Sequence, residues 1–439
     1  MIKGEKTFCP IPWIFQAVRS NGDIRVCCQA NVTENRGVVR KDDGTAYNAG
    51  IDDLDEARNA SLMKDIRRNM MSSKWSDECG RCRQEEENGL TSRRQYERVQ
   101  WKFGMLDALK STKLDGTIDT TQSPTQYYDL RFGNFCNLKC RMCAPTDSSA
   151  WYEDWIKMTG RNTFNDTSGE ITIHDVNGKL TATEFDWPNS ELFWIQLENN
   201  IQYMEHVYFA GGEPMLIERH YEFLQKCIDS GHAENIMLEY NTNGTTLPTR
   251  VLNLWKKFKE VRLGVSVDGM DNVLEYQRHP VKWSKVLKNL KTIDALPSNI
   301  KAWIAFTVTA YNVEHMIDFM KWKIAESDFK KINSNSIKPI ITHHVAHNPP
   351  HLNIRVLPDE YKAHVTQKFE DFVLWVEQQD LNKKYAIAAK GISNGITNYM
   401  NSKSYYESDW QDFLNYTNSL DRIRNENIKT VVPNLGKFT

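Results

Sequence analysis

Phe135-Cys136-Asn137-Leu138-Lys139-Cys140-Arg141-Met142-Cys143-Ala144 decides the reading of this chain, because it sets three cysteines in a CxxxCxxC spacing directly after the strand-like run Tyr127-Tyr-Asp-Leu-Arg-Phe132. The spacing puts three thiolates on one short loop. A cubane iron–sulfur cluster normally takes four protein thiolates. A compact three-cysteine loop therefore leaves one iron open to a small molecule, which points to redox chemistry on a ligand. A zinc knuckle completed by a distant histidine is the alternative, but structural zinc pairs are usually CxxC.

The other cysteines extend the same theme. Cys9, Cys27, Cys28, Cys79 and Cys82 join the loop cysteines in the first third of the chain, and only Cys227 stands apart, inside the helical pattern Tyr221 to Ile228. Cys227 reads as a small buried apolar residue, with no second cysteine beside it to activate it. The opening Met1-Ile-Lys-Gly-Glu-Lys-Thr-Phe8 lacks the apolar core of a signal peptide, so reduced thiols serving metal or catalysis are expected rather than a disulfide framework. No later run reaches the roughly 18 apolar residues of a membrane span. The expectation is a soluble, cytoplasmic protein with no membrane partner. Formal net charge is −2 with acidic and basic residues interspersed, so no nucleic-acid-binding face is read from it. A length of 439 residues allows about three domains and ample core.

Beyond the loop, strands and helices alternate. Strand candidates are Tyr127 to Phe132, Val207 to Ala210, Ile236 to Tyr240, Leu263 to Val267, Trp303 to Thr309 and Ile341 to Ala346. Helical spacing marks Tyr221 to Ile228, Pro248 to Phe258, Lys285 to Ile293 and Val313 to Ile324. Repeated strand–helix units imply parallel strands, whose ligands sit beyond the carboxyl ends. Cys136, Gly211, Asn243, Asp268 and Asn312 each follow one of the first five strands and would converge on one mouth. Between the first two strands, Gly169 to Trp187 alternates around the turn Asn177-Gly178 and reads as an inserted hairpin, either surface decoration or a lid.

These motifs, taken in order, resemble the radical S-adenosylmethionine (SAM) enzymes. The resemblance runs from Cys136-Cys140-Cys143 through Gly211-Gly-Glu-Pro214 and Ser266-Val-Asp268-Gly269 to Arg278, about half the chain. It implies an α/β fold with a partial (β/α)6, TIM-like barrel and a SAM-binding [4Fe–4S] cluster on Cys136, Cys140 and Cys143. It also implies that the Gly211, Gly212, Glu213 segment binds the SAM amino group, with close backbone approach at the glycines. Asn243 either turns the chain or touches the ribose. Ser266 and Asp268 suit ribose or methionine atoms, and Arg278 offers a bidentate partner to the SAM carboxylate, a surface salt bridge being its bland alternative. Met142 departs from the family's frequent aromatic residue before the third cysteine, leaving adenine contact to thioether and backbone.

The N-terminal cysteines form a second constellation. Asn21-Gly22 signals a hairpin that would bring Cys9 and Cys27 together on paired strands, the pattern Leu54, Leu62, Ile66, Met70 marks a helix leading to Cys79, and Cys79 and Cys82 then close the site. This looks like the SPASM and twitch auxiliary iron–sulfur modules, which usually follow the barrel, whereas here the module precedes it. Four of the five thiolates would complete a second cluster, with Cys27 or Cys28 the open choice because adjacent strand residues face opposite sides. A structural zinc ribbon needs the same four cysteines. The expected layout is an auxiliary module over 1–120, the core over 121–356 with an insertion at about 146–200, and a helical region over 357–439.

His343, His344, His347 and His351 crowd the sixth strand and the following loop. Neighbouring strand histidines face opposite sides, so separate roles are expected, one of them lining a substrate cavity. The region from Leu357 onward, with patterns such as Phe369 to Gln379 and Tyr405 to Tyr416, reads as charged helices without nameable chemistry.

The resemblance implies reductive cleavage of SAM to methionine and a 5′-deoxyadenosyl radical that takes hydrogen from a substrate carbon. It further implies a peptide or protein substrate and a reductant such as flavodoxin or ferredoxin. A small sugar or alcohol is the alternative substrate. A non-catalytic iron–sulfur electron-transfer protein is the alternative from another class, though it leaves Gly211 to Pro214 and Arg278 unexplained.

Overall fold

β-branched and aromatic runs form strands where the sequence places them, and the helices that separate them bury their apolar stripes. The computed structural model describes residues 6–30, 37–89, 91–332 and 339–439. Residues 1–5, which open the segment read for a signal peptide, lie outside the described residues. The chain folds as two units, one of Met1–Phe135, Thr163–Tyr240 and Arg250–Val261, the other of Cys136–Asn162, Asn241–Thr249 and Arg262–Thr439. The architecture is mixed α/β with largely parallel strands, consistent with the partial barrel that the resemblance implies.

In the first unit, β1 (Phe15–Val18) pairs antiparallel with β2 (Ile24–Arg25) and parallel with β3 (Tyr127–Phe132). Two small antiparallel hairpins follow, β4 (Thr163–Asp166) with β5 (Gly169–Thr172) and β6 (His174–Val176) with β7 (Lys179–Thr181). The sheet then continues from β3 to β8 (His206–Gly211) and β9 (Met237–Thr242), both parallel. One face is apolar, with Tyr128, Leu130, Phe132, Val207, Phe209, Leu238 and Tyr240 all buried. Phe132 meets Trp194 at 5.4 Å between ring centroids, and the helix Glu218–Asp229 adds Phe223, Leu224 and Cys227 to the same layer. Each such fully buried side chain contributes about 1.5–3 kcal/mol. The other face carries Tyr127, Asp129 and Arg131 on β3, of which Tyr127 and Asp129 are buried too, so this strand is covered on both sides.

In the second unit, β10 (Glu260–Ser266), β11 (Ile300–Val308) and β12 (Thr342–Val345) follow in that order, β11 and β12 being parallel. Helices Trp283–Asp294 and His315–Ala325 bury Val286, Leu290, Ile293, Met316, Phe319 and Met320. Three long helices, Asp359–Gln378, Lys383–Asn401 and Tyr406–Arg424, make up most of the C-terminal region. Among the described residues no helix is long and apolar enough to cross a membrane.

Three sequence expectations need correction. The helix expected from Leu54 to Met70 is two helices, Leu54–Arg58 and Ser61–Met71, because the Asn59 side chain leaves the helical run to exchange hydrogen bonds of 3.0 Å with the backbone of Ile118. Met63, Ile66, Arg67 and Met70 form the buried face of the second helix, and Leu62 does not. The insertion is two hairpins rather than one; Asn177 (φ 55°) and Gly178 (φ 80°) make the predicted turn in the second, and Gly169 opens a strand of the first. The Asn21-Gly22 hairpin forms, but Cys9 lies outside it. Pro10 and Pro12 lack the N–H that a ladder needs, and Pro12 sits in the first turn of the helix Ile11–Ile14 instead. Cys27 follows the end of β2.

Candidate functional site

The second unit builds its site on the cysteine loop. Cys136, Cys140 and Cys143 are free thiols, Cys140 buried and the other two half-buried. Hydrogen bonding with Cys143 holds the Cys140 thiol below its ordinary value, with Arg278 acting in the same direction, and the same bond pushes Cys143 well up. Cys136 lies within electrostatic reach of Cys143, so the three sulfurs gather in one place.

N–H groups from two other segments point at these sulfurs. Asn243 Nδ2 approaches Cys136 Sγ at 3.8 Å and donates to Asn137 Oδ1 at 3.0 Å, while its own carbonyl accepts from Thr245 N at 2.9 Å and Thr245 Oγ1 at 2.6 Å. Asn243 thus turns the chain and also touches the loop. Arg278 Nη1 approaches Cys140 Sγ at 3.8 Å. Its Nε donates to Asp268 Oδ2 at 2.6 Å, in a pair whose side chains are 10% and 0% exposed, so the surface reading of Arg278 does not hold. Burial works against the guanidinium charge, but Asp268 and Cys140 beside it hold Arg278 above its ordinary value. Both Asp268 oxygens are engaged, since Oδ1 accepts from Thr307 N at 2.7 Å, and Asn312 Nδ2 donates to the Asp268 carbonyl at 3.0 Å. Ser266 ends β10, two residues before Asp268.

Gly211, Gly212 and Glu213 lie in the first unit, at the end of β8. Gly211 has φ 110°, and a Cβ on it would run into the backbone of Arg131 and Phe132; one on Gly212 would run into the carbonyl of Phe135. Only glycine allows this approach. Gly212 N donates to Gly133 O at 3.1 Å and Glu213 N to Phe135 O at 2.8 Å, which fastens the segment to the residue just before Cys136. The buried Glu213 carboxylate accepts from Met215 N at 3.1 Å, capping the turn Pro214–Leu216.

Sequence reading missed the residues that grip the loop. Arg141, fully buried, sends Nη2 to Asp421 Oδ1 at 2.5 Å and Glu426 Oε2 at 2.6 Å, and its guanidinium lies 3.5 Å from the centroid of the Tyr276 ring. Tyr416 donates its hydroxyl to the Arg141 carbonyl at 2.6 Å. Asp154 accepts from Lys139 Nζ at 2.6 Å and from Arg424 Nε at 2.7 Å, and Trp151 Nε1 donates to the Cys140 carbonyl at 2.9 Å. The position of Arg141 between two of the loop cysteines was the one available signal.

The histidines take separate places. His344 Nε2 lies 3.4 Å from Thr307 Oγ1 and within electrostatic reach of Asp268 and Arg278, His347 Nδ1 meets the Tyr399 hydroxyl at 3.1 Å, and the His351 ring packs 4.5 Å from that of Tyr416. Burial lowers His344 and His351 from their ordinary values.

The first unit holds the other cysteines around a cavity of about 40 Å³, lined by Cys9, Cys27, Cys28, Cys79 and Cys82 with Ile11, Phe15, Val26, Met70, Arg93 and Arg94 among its walls. That is more than one water needs. Burial pushes the Cys9 thiol well up, and Cys27 and Cys79 up to about 12. Cys27 is within electrostatic reach of Cys9, Cys28 and Cys79, and Arg93, Asp129, Glu97 and Arg131 also bear on Cys28. Among the described residues no group of three or more His, Cys, Asp or Glu side chains is drawn tightly enough to hold a single metal ion. Cys227 lies on the buried face of the helix Glu218–Asp229, and burial, with Glu198 adding, pushes its thiol up.

Residues 130–322 match the family model described as the Radical SAM superfamily. Solved structures similar to the chain include SuiB of Streptococcus suis, at 13% identity over 79% of this chain and 67% of that one with a TM-score of 0.33. Another is anSMEcpe with bound AdoMet, at 19% identity over 58% of this chain and 61% of that one, TM-score 0.34. SuiB bound to the precursor peptide SuiA matches at 12% identity over 85% of this chain and 84% of that one, TM-score 0.31. No curated protein matches the chain.

Proposed function

We propose that the chain is a radical SAM enzyme acting on a peptide or protein. The observation that carries this reading is the match of residues 130–322 to the superfamily model, which spans the three-cysteine loop, Gly211 to Pro214 and Asp268 to Arg278. The residues suit the group. Three sulfurs gather on one loop, two N–H donors reach them from other segments, and two glycines keep the backbone at the end of β8 free of side chains. When bound, a [4Fe–4S] cluster with one open iron would pass an electron to SAM, whose cleavage supplies a radical able to take hydrogen from an unactivated carbon.

Cys136, Cys140 and Cys143 would hold that cluster, and Asn243 and Arg278 would donate to sulfur. With Arg278 engaged by Asp268, its part in this reading is to place one fixed positive charge beside Cys140 rather than to offer an open fork to the SAM carboxylate. Gly211, Gly212 and Glu213 would present backbone to SAM, and His344 is the histidine best placed to meet a substrate. Cys9, Cys27, Cys79 and Cys82 would hold a second cluster, Cys27 having both Cys9 and Cys79 within electrostatic reach. In this reading an auxiliary module covers 1–120, the core 121–356 and a helical region 357–439, with flavodoxin or ferredoxin as reductant. The peptide substrate rests on the likeness of the N-terminal cysteines to auxiliary modules, and a sugar or alcohol remains the alternative.

The test is anaerobic purification, an iron count, and addition of a strong reductant with SAM, with 5′-deoxyadenosine followed by mass spectrometry in wild type and Cys140→Ala. About eight irons per chain, with SAM cleavage lost in the variant, is the expected result. Iron without SAM cleavage under any reductant would leave the electron-transfer reading.

A further inference from the structure

We propose that Arg141 and the carboxylates at the end of the last long helix form a charge latch that fixes the cysteine loop and sets the reduction potential of its cluster; the inference rests on the function proposed above.

The latch is made of oppositely charged, hydrogen-bonded groups around the middle cysteine, with the guanidinium of Arg141 fully buried and Asp421 and Glu426 12% and 16% exposed. On either side of Cys140 the backbone is fixed, Lys139 N donating to His279 O and Arg141 N to Gln277 O, each at 2.8 Å. The Arg141 side chain is 0% exposed and meets Asp421 and Glu426 at 2.5 and 2.6 Å. Asp421 also accepts from the Tyr276 hydroxyl and from Ile428 N, both at 2.8 Å, and Glu426 Oε1 meets His279 Nδ1 at 2.7 Å. A second anchor repeats the theme, with Asp154 joining Lys139 to Arg424, and Arg424 lying 4.9 Å over the Trp151 ring that reaches the Cys140 carbonyl. Every residue from 138 to 141 is thus held through its backbone or side chain by a segment distant in sequence or by Ser148, which donates to the Leu138 carbonyl.

A buried ionic group of this kind is weak evidence of stability, since well-packed apolar residues do as well. Its value lies in where its charge sits. Arg141 follows Cys140 directly, and two carboxylates surround its one guanidinium. A negative group beside a cluster disfavours the extra electron, so the potential follows the charge at this position. Removing carboxylate charge raises it, and removing the guanidinium lowers it. A merely structural contact has no such sign.

The experiment uses the full chain loaded with iron and sulfide, comparing wild type with Arg141→Met, Arg141→Lys, Glu426→Gln, Asp421→Asn with Glu426→Gln, and Tyr416→Phe. An electron paramagnetic resonance titration follows the cluster whose signal changes on adding SAM, and a chelator measures how fast its iron is lost. The expected pattern is a higher potential in Glu426→Gln and higher again in the double variant, a lower one in Arg141→Met, and Arg141→Lys close to wild type. Tyr416→Phe, which changes no charge, keeps the potential. Iron loss from the charge variants rises by about tenfold or more, the usual effect of losing partners behind metal ligands. Potentials unchanged across the charge series, or moved the same way by opposite changes of charge, overturn the latch. A wild type with no SAM-responsive cluster overturns the proposed function as well, which separates the two failures.

Discussion

Removing the Asp268 carboxylate tests how the site holds Arg278. In the structure the carboxylate is fully enclosed and has two duties, 2.6 Å from Arg278 Nε and 2.7 Å from Thr307 N. Asp268→Ala leaves a guanidinium buried without its counter-ion, which costs about 3–5 kcal/mol. It also leaves the Thr307 N–H without its acceptor, a further cost of about 1–3 kcal/mol. Asp268→Asn keeps an acceptor for Thr307 and loses chiefly the ionic part. In Asp268→Ala with Arg278→Met no charge is stranded, so the double variant is more stable than Asp268→Ala alone even though more native contacts are gone. Thermal unfolding of the iron-free chain, where each kcal/mol moves the midpoint of a unit of about 200 residues by about 2–4 °C, gives a fall of at least about 8 °C for Asp268→Ala. A midpoint within about 2 °C of wild type, or a double variant no more stable than the single, would refute the claim that the pair is a buried, interdependent charge couple.

Three other outcomes follow from the geometry. Cys79→Ser combined with Cys82→Ser lowers the iron content from about eight to about four per chain, while Cys28→Ser keeps the wild-type count, as read by a colorimetric iron assay. Gly212→Ala puts a methyl group against the Phe135 carbonyl and destabilises the chain by about 1–3 kcal/mol, seen as a lower thermal midpoint together with loss of SAM cleavage. Glu314, 9% exposed, shows the pH dependence: burial would raise its carboxyl, but hydrogen bonds from His364 and Asn434 and the charge of Lys368 outweigh that and lower it from 4.5 to about 2. A carboxyl depressed by folding contributes its stability, about 3 kcal/mol, fully above its unfolded value and loses it as pH falls from 4.5 towards about 2. Acid unfolding of Glu314→Gln is therefore flatter across that interval than in wild type, and parallel curves would sink the assignment.

Much of the fold was legible because its cues are local. Runs such as Tyr127 to Phe132 and Trp303 to Thr309, rich in aromatic and apolar residues, form β3 and β11, the first buried along nearly its whole length and the second in alternation, and the helices between strands match their apolar spacing to within a few residues. The errors arose where one residue serves two masters. Asn59 breaks a helix that periodicity joins because its amide is needed by Ile118, and the prolines flanking Ile11 turn a would-be strand into a helical turn. In the site, the cysteine spacing and the paired glycines were readable, since each is a short segment with its own steric or ligand logic. The direction of Arg278 was not, because its partner Asp268 stood in the same motif and both looked free to meet a ligand.

Arg141 shows why the C-terminal region yielded no chemistry on reading. Its bonds to Asp421 and Glu426 join positions 280 and 285 residues apart. No periodicity links such positions, and an aspartate in the last turn of an amphipathic helix looks like any solvated charge. What distinguishes Asp421 is only that folding buries its partner completely, and burial of a charge is a property of the tertiary structure rather than of any window of sequence. The motif therefore specifies which atoms can bind iron, while the distant helix specifies the electrostatic environment in which they would do so. Chains sharing the CxxxCxxC loop need not share a potential or a rate of iron loss, since those depend on residues that the motif does not contain.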